Sequence, residues 1–160
     1  MWILKKLNSA LSGLAVISSA TMMAVLVIAT IWQVYGRYVL NDTPTWTEQL
    51  AIGLMLYVVS LMSAVGTRAG THLRVLVLTD RMAVRQRFWI DQIINVLLLL
   101  FFFAMVKYGA NLMQRTSNNP WQLLGISRMY FYLPIVLTGA MSFSFTVENI
   151  LIAFQKGEEK

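Results

Sequence analysis

Four long apolar stretches, separated by short polar segments, run through this chain of 160 residues. A bilayer hydrocarbon core of about 30 Å takes roughly 20 helical residues at about 1.5 Å each. The spacing between charged residues measures the stretches. Lys6 to Arg37 encloses 30 uncharged residues, Glu48 to Arg68 encloses 19, Asp91 to Lys107 encloses 15, and Arg128 to Glu148 encloses 19. The third stretch stays apolar past Lys107 to Met113. The pattern predicts four transmembrane helices, near 11–35, 50–67, 89–112 and 129–150, in a single membrane domain over 1–160. A basic segment, 68–88, joins the second span to the third. The fold class is therefore all-α and integral to a membrane. The first run is longer than one crossing requires, so that helix is strongly tilted or begins as an interfacial segment, "MWILKKLNSA".

The start of the chain also has features of a secretory signal. Lys5 and Lys6 precede an apolar stretch, and "SSA" ending at Ala20 is small enough for a cleavage site. The apolar run then continues through "TMMAVLVIATIWQVY", so an uncleaved span is expected. Lys and Arg in the loops set the orientation. Lys5, Lys6, Arg68, Arg74, Arg81, Arg85, Arg87, Lys156 and Lys160 fall on one side, and Arg37, Arg115 and Arg128 on the other. Both termini are expected to be cytoplasmic, with "NDTPTWTEQLA" and "RTSNNPWQLLGIS" facing outward.

Composition narrows the function. Only 12% of residues are charged and mean hydropathy is +0.63, whereas soluble domains carry about 25% charged residues. The net charge of +6 does not indicate nucleic-acid binding, because the basic residues flank apolar spans and form no basic domain. The chain has no cysteine and a single histidine, His72, which rules out disulfides, thiolate metal sites and a haem held between two of its own histidines. No phosphate loop or nucleophile elbow is present. An enzyme is not expected, and neither a catalytic residue, a metal site nor a cofactor site can be named.

The stretch "NDTPTWTEQLA" (41–51) starts the second span. Thr45-Trp-Thr-Glu48 fits a capping box; Thr43 followed by Pro44 fits an alternative start, with proline at the first helical position. Glu48 then lies where the helix dipole favours negative charge, and Trp46 at headgroup level. Local chemistry accounts for each residue type without a partner. A sharper reading has this edge dock one, with Arg37 from the end of span one pairing with Glu48 to staple the two helices.

Charges deep in a membrane are costly and mark transport pathways. None stands near the midplane of any span. Glu48 and Arg68 bracket span two about 30 Å apart. Lys107 lies near the outer interface, where its stem can snorkel, and Glu148 reaches the inner one. An autonomous ion-coupled carrier needs a site near the midplane, commonly with broken helices. Gly53 and Gly66 are too far apart to mark an unwound segment. Pro134 either kinks span four or sits in a tolerated turn near its outer end. Ser18, Ser19, Thr21, Ser60 and Ser63 read as packing residues able to hydrogen-bond across helices. In "RAGTHLRVLVLTDRMAVRQRFW", Arg81 and Arg85 share a helix face, and with Arg87 they are expected at lipid phosphates. His72 reads as a satisfied interfacial histidine.

Three blocks of the sequence resemble a known family. "RYVLNDTPTWTEQLA" (37–51), "SAVGTRAGTHLRVLVL" (63–78) and "LLGISRMYFYLPIVLTG" (123–139) are similar to the small membrane subunit of tripartite ATP-independent periplasmic (TRAP) transporters, and length and four spans agree. Arg37, Tyr38, Asn41, Pro44, Trp46, Glu48 and Ala51 match the first block; Gly66, Arg68, His72 and Arg74 match the second. The chain departs at Gln49, where the family often has a second acid, and at Ser127, where the family's "LGIP" has proline.

The resemblance implies a division of labour. A periplasmic solute-binding protein captures an organic acid such as a C4-dicarboxylate or a sialic acid. A large membrane subunit carries the substrate and sodium sites. The small subunit is a scaffold beside it in the bacterial inner membrane. Arg37, Tyr38, Asn41, Pro44, Trp46 and Glu48 are then the partner-interface candidates, and Arg68, His72, Arg74, Arg81, Arg85 and Arg87 the cytoplasmic, headgroup-facing set. The alternative is a small autonomous exporter or channel acting as a homo-oligomer, a class that relies on a membrane-embedded acid. A scaffold predicts broad lipid contact with at least one face covered by a partner helix, and no compact bundle around a polar cavity.

Overall fold

A computed structural model describes residues 2–42, 44–69, 84–118, 120 and 125–158. Among these described residues there are four helices: α1 (Trp2–Tyr38), α2 (Thr45–Ala69), α3 (Val84–Thr116) and α4 (Met129–Glu158). Each carries a stretch long and apolar enough to cross a membrane. The protein is an all-α, four-span membrane protein. Beyond the helices, the described residues add one isolated antiparallel bridge, between Pro120 and Ser127.

The helices outrun the spans measured between charges. α1 is one unbroken helix of 37 residues, about 55 Å long, so "MWILKKLNSA" continues the first span without a separate element. A helix satisfies its own backbone, so nothing forces it to stop where the hydrocarbon does.

Packing follows a row, not a ring. α2 lies between α1 and α4, and α4 lies between α2 and α3. α3 packs on α4 and makes at most marginal contact with the other described helices. α1 and α4 meet only over a small area, at the end of the molecule that holds both termini; this is called the terminal end below, and the opposite one the loop end. α4, flanked on both sides, has the most buried span, and α3, at the edge, the least. Large apolar side chains such as Ile28, Trp32, Leu100 and Phe103 stand exposed, as expected for surfaces that meet lipid.

Close approach of α3 and α4 rests on two glycines. A Cβ on Gly139 would come within 2.9 Å of Val106 and 3.3 Å of the Phe102 carbonyl oxygen, and one on Gly109 within 2.9 Å of Val136. Small residues at such crossings let backbones pack where hydrophobicity gives no drive. Most threonine hydroxyls turn inward on their own helix: Thr21 donates to the Ile17 carbonyl at 3.0 Å and Thr30 to Leu26 at 2.8 Å. Thr21 therefore does not form the cross-helix bond open to it in sequence. A carbonyl one turn back is a nearer acceptor than a neighbouring helix.

Candidate functional site

Two polar constellations stand out, one at each end of the row. At the loop end, α1 closes with Val39 N donating to the Tyr35 carbonyl at 2.9 Å and Asp42 N to Gly36 at 3.1 Å. Asn41 takes a left-handed conformation with φ of 50°, which asparagine tolerates better than most residues. The chain thereby folds back onto Gly36. A Cβ at Gly36 would lie 2.8 Å from the Asp42 carbonyl oxygen and 3.0 Å from Pro44 Cδ, so only glycine admits this turn. Sequence reasoning did not single out Gly36; its signal was a glycine one residue before Arg37 at the end of an apolar run.

Pro44 stands just ahead of the first helical residue, Thr45. The Pro44 carbonyl accepts from Thr47 N at 3.1 Å and from Thr47 Oγ1 at 2.6 Å. Thr47, not Thr45, is the buried threonine of this turn. Arg37, Tyr38, Asn41, Trp46 and Glu48 are all exposed, so five of the six interface candidates share one open rim. The expected Arg37–Glu48 staple is absent. The Arg37 guanidinium lies over its neighbour's ring, Tyr38, at 5.8 Å, and Arg68–Glu148 is the one ion pair among the described residues.

The other part of the loop end is the turn into α4. Ser127 Oγ donates to the Ser117 carbonyl at 2.7 Å and accepts from Met129 N at 3.3 Å. Ser127, the departure from the family's proline, thus ties the loop to its own base and caps α4. Gly125, at φ of 64°, makes the preceding turn.

At the terminal end, α1, α2 and α4 are clasped by polar side chains. Asn8 Nδ2 donates to Glu148 Oε2 at 2.7 Å and, more weakly, to the Ser144 carbonyl at 3.4 Å. Ser144 Oγ returns a bond to Asn8 Oδ1 at 2.8 Å. Arg68 Nε stands 3.8 Å from Glu148 Oε2, with its guanidinium 5.8 Å from the centre of the buried Phe145 ring. Asn149 Nδ2 donates to the Thr67 carbonyl at 3.4 Å. Asn8 is fully buried and Glu148 is 6% exposed, so the amide and carboxylate satisfy each other away from solvent. Sequence reasoning placed Glu148 at an interface and Arg68 opposite Glu48, but missed that Asn8 and Glu148 converge. Two polar residues 140 positions apart leave no local pattern; the Ser144–Glu148 spacing, one turn on one helix face, was the available hint.

His72, Arg74 and Arg81 lie outside the described residues. Arg85 and Arg87 fall in the first turn of α3. No group of three or more metal-ligating side chains occurs among the described residues.

Fold and contacts together define a four-span membrane protein braced by inter-helical bonds at its terminal end. The family model for tripartite ATP-independent periplasmic transporters, DctQ component, matches residues 9–156. The chain is 24% identical over 156 residues to the sialic acid TRAP transporter small permease protein SiaQ of Vibrio cholerae serotype O1 (strain ATCC 39315 / El Tor Inaba N16961), covering 98% of this chain and 84% of that protein. The chain belongs to the DctQ family, the small permease subunits of TRAP transporters. It is a transport component and not an enzyme, a multi-pass protein of the bacterial inner membrane whose family works with a large membrane subunit and a periplasmic binding protein.

Proposed function

We propose that this subunit is a rigid scaffold for the large membrane subunit, in sodium-coupled, binding-protein-dependent uptake of an organic acid. Of the sialic acid and C4-dicarboxylate classes, the relative's description as a sialic acid transporter component favours the first. The observation that carries the reading is the placement of polar groups. The described ion pair and its hydrogen-bonded neighbours brace α1, α2 and α4 at one end, and the middles of the spans hold no charge. Bracing of this kind suits a part that stays still while a neighbour moves.

In this reading both termini are cytoplasmic, following the excess of Lys and Arg on that side. The rim of Arg37, Tyr38, Asn41, Pro44, Trp46 and Glu48 faces the periplasm and meets the large subunit or the binding protein. The 68–88 segment, with Arg68, His72, Arg74, Arg81, Arg85 and Arg87, lies against anionic headgroups.

Reconstitution tests the scaffold. Proteoliposomes holding this chain, its large subunit and the binding protein are expected to take up labelled sialic acid under an inward sodium gradient. Omitting any one of the three is expected to abolish uptake. Transport by this chain alone would establish the autonomous exporter instead, and preferential uptake of a C4-dicarboxylate would overturn the sialic acid assignment.

A further inference from the structure

Pro134 is fully buried at the sixth position of α4. Proline has no backbone N–H, so it cannot donate to the carbonyl four residues earlier, that of Tyr130. Tyr57, on α2, donates its hydroxyl to that same carbonyl at 2.7 Å. We infer that Pro134 and Tyr57 together form a locked joint. The proline frees one carbonyl of α4, and a hydroxyl from α2 replaces the missing amide, fixing the opening turn of α4 against α2.

Depth, packing and local geometry support the joint. Tyr57 lies nine residues beyond Glu48, about 13 Å along α2, within a span where water is scarce and an unmet carbonyl is costly. A cleft of about 130 Å³, lined by Gln49, Gly53, Tyr57, Ile126, Tyr130 and Phe131 among others, lies beside the bond. The turn before the proline is tightened, with Tyr130 N donating to the Ser127 carbonyl at 3.2 Å and Phe131 N to Arg128 at 3.0 Å.

Proline is a common site of helix kinks, so the helix alone does not fix the direction of the segment ahead of it. Here that segment continues from the Ser127 turn, and Ile126 and Ser127 share the cleft with Gln49 and Leu50 of α2. The joint therefore fixes the position of the α4 loop relative to the rim that carries Trp46 and Glu48. Phenylalanine at 57 would preserve the ring and lose the lock.

A double-mutant cycle tests the pair. The full-length chain, as wild type, Tyr57→Phe, Pro134→Ala and the double variant, is unfolded by titrating SDS into mixed micelles. Tyr57→Phe is expected to raise the unfolded-to-folded ratio roughly three- to tenfold. In the Pro134→Ala background, where alanine's N–H can bond the Tyr130 carbonyl, the same change is expected to cost less than about twofold. An equal cost in both backgrounds overturns the joint. A second readout does not depend on the alanine variant folding. Tyr130–Phe131 is the single Tyr–Phe step in the chain, so carbonyl-13C tyrosine with 15N phenylalanine isolates the Tyr130 carbonyl by solid-state NMR. Its resonance is expected to move upfield in Tyr57→Phe; an unmoved resonance refutes the bond.

Discussion

Removing the Asn8 side chain should unfasten the terminal end. Asn8→Ala deletes the 2.7 Å bond to Glu148 and the 2.8 Å bond from Ser144. A hydrogen bond to a charged group contributes about 1.5–3 kcal/mol, and a neutral one about 1 kcal/mol. Glu148 remains buried and keeps only Arg68, at a long 3.8 Å through one nitrogen, while Ser144 loses its acceptor. Arg68 is itself 26% exposed in its side chain, so solvent screening limits what it restores. The expected loss is about 3 kcal/mol. For a chain of this size that lowers the melting temperature by roughly 6–12 °C, readable by size-exclusion fluorescence after a heating series in mild detergent. Glu148→Gln keeps an acceptor oxygen for Asn8 and loses only the charge, so it should cost less, about 1–2 kcal/mol. The reasoning fails if Asn8→Ala melts within about 2 °C of wild type, or if Glu148→Gln is the more damaging change.

Three further outcomes are expected. Gly139→Leu should detach α3 from α4, since even a Cβ there meets Val106 and the Phe102 carbonyl. Gly139→Ala should cost about 1–3 kcal/mol, because the helices must part by only a few tenths of an ångström around a single methyl group; protease accessibility of the α3–α4 loop separates the two. Gly36→Ala forces the Asp42–Pro44 turn off α1 and should destabilise by about 1–3 kcal/mol, with reduced co-purification of the large subunit as the functional readout. Arg37→Ala and Glu48→Ala should have additive effects on assembly with the large subunit, because the two residues do not touch; a non-additive result would point to a pair formed only in the complex.

The four spans were legible because lipid imposes a simple rule: count uncharged residues between charges. The same rule under-measured the helices. α1 begins at Trp2 and α4 runs to Glu158, because backbone hydrogen bonding continues through the headgroups after hydrophobicity ends. The loop-end rim was legible as a block of residues, but not in its geometry. Arg37 and Glu48 looked complementary in sequence, yet Arg37 found a nearer partner in Tyr38. The clasp was least legible. Ser144 and Glu148 share a face of α4, but nothing in the sequence ties them to Asn8, and their meeting depends on how α1 and α4 cross. Pro134 was read as a kink or a turn; that its freed carbonyl meets Tyr57 depends on the register of α2 against α4.

The length of α1 bears on the surrounding membrane as well as the protein. Its 30 uncharged residues pack beside the 19 of α2, a disparity of about 16 Å along the helix axes. Asn8 holds one end and the turn at Gly36 the other, so α1 has little liberty to lean independently and shed the excess. The excess then either runs on into the headgroup layer or is met by local thickening of the bilayer along the α1 edge, which gives the subunit two flanks with different hydrophobic mismatch.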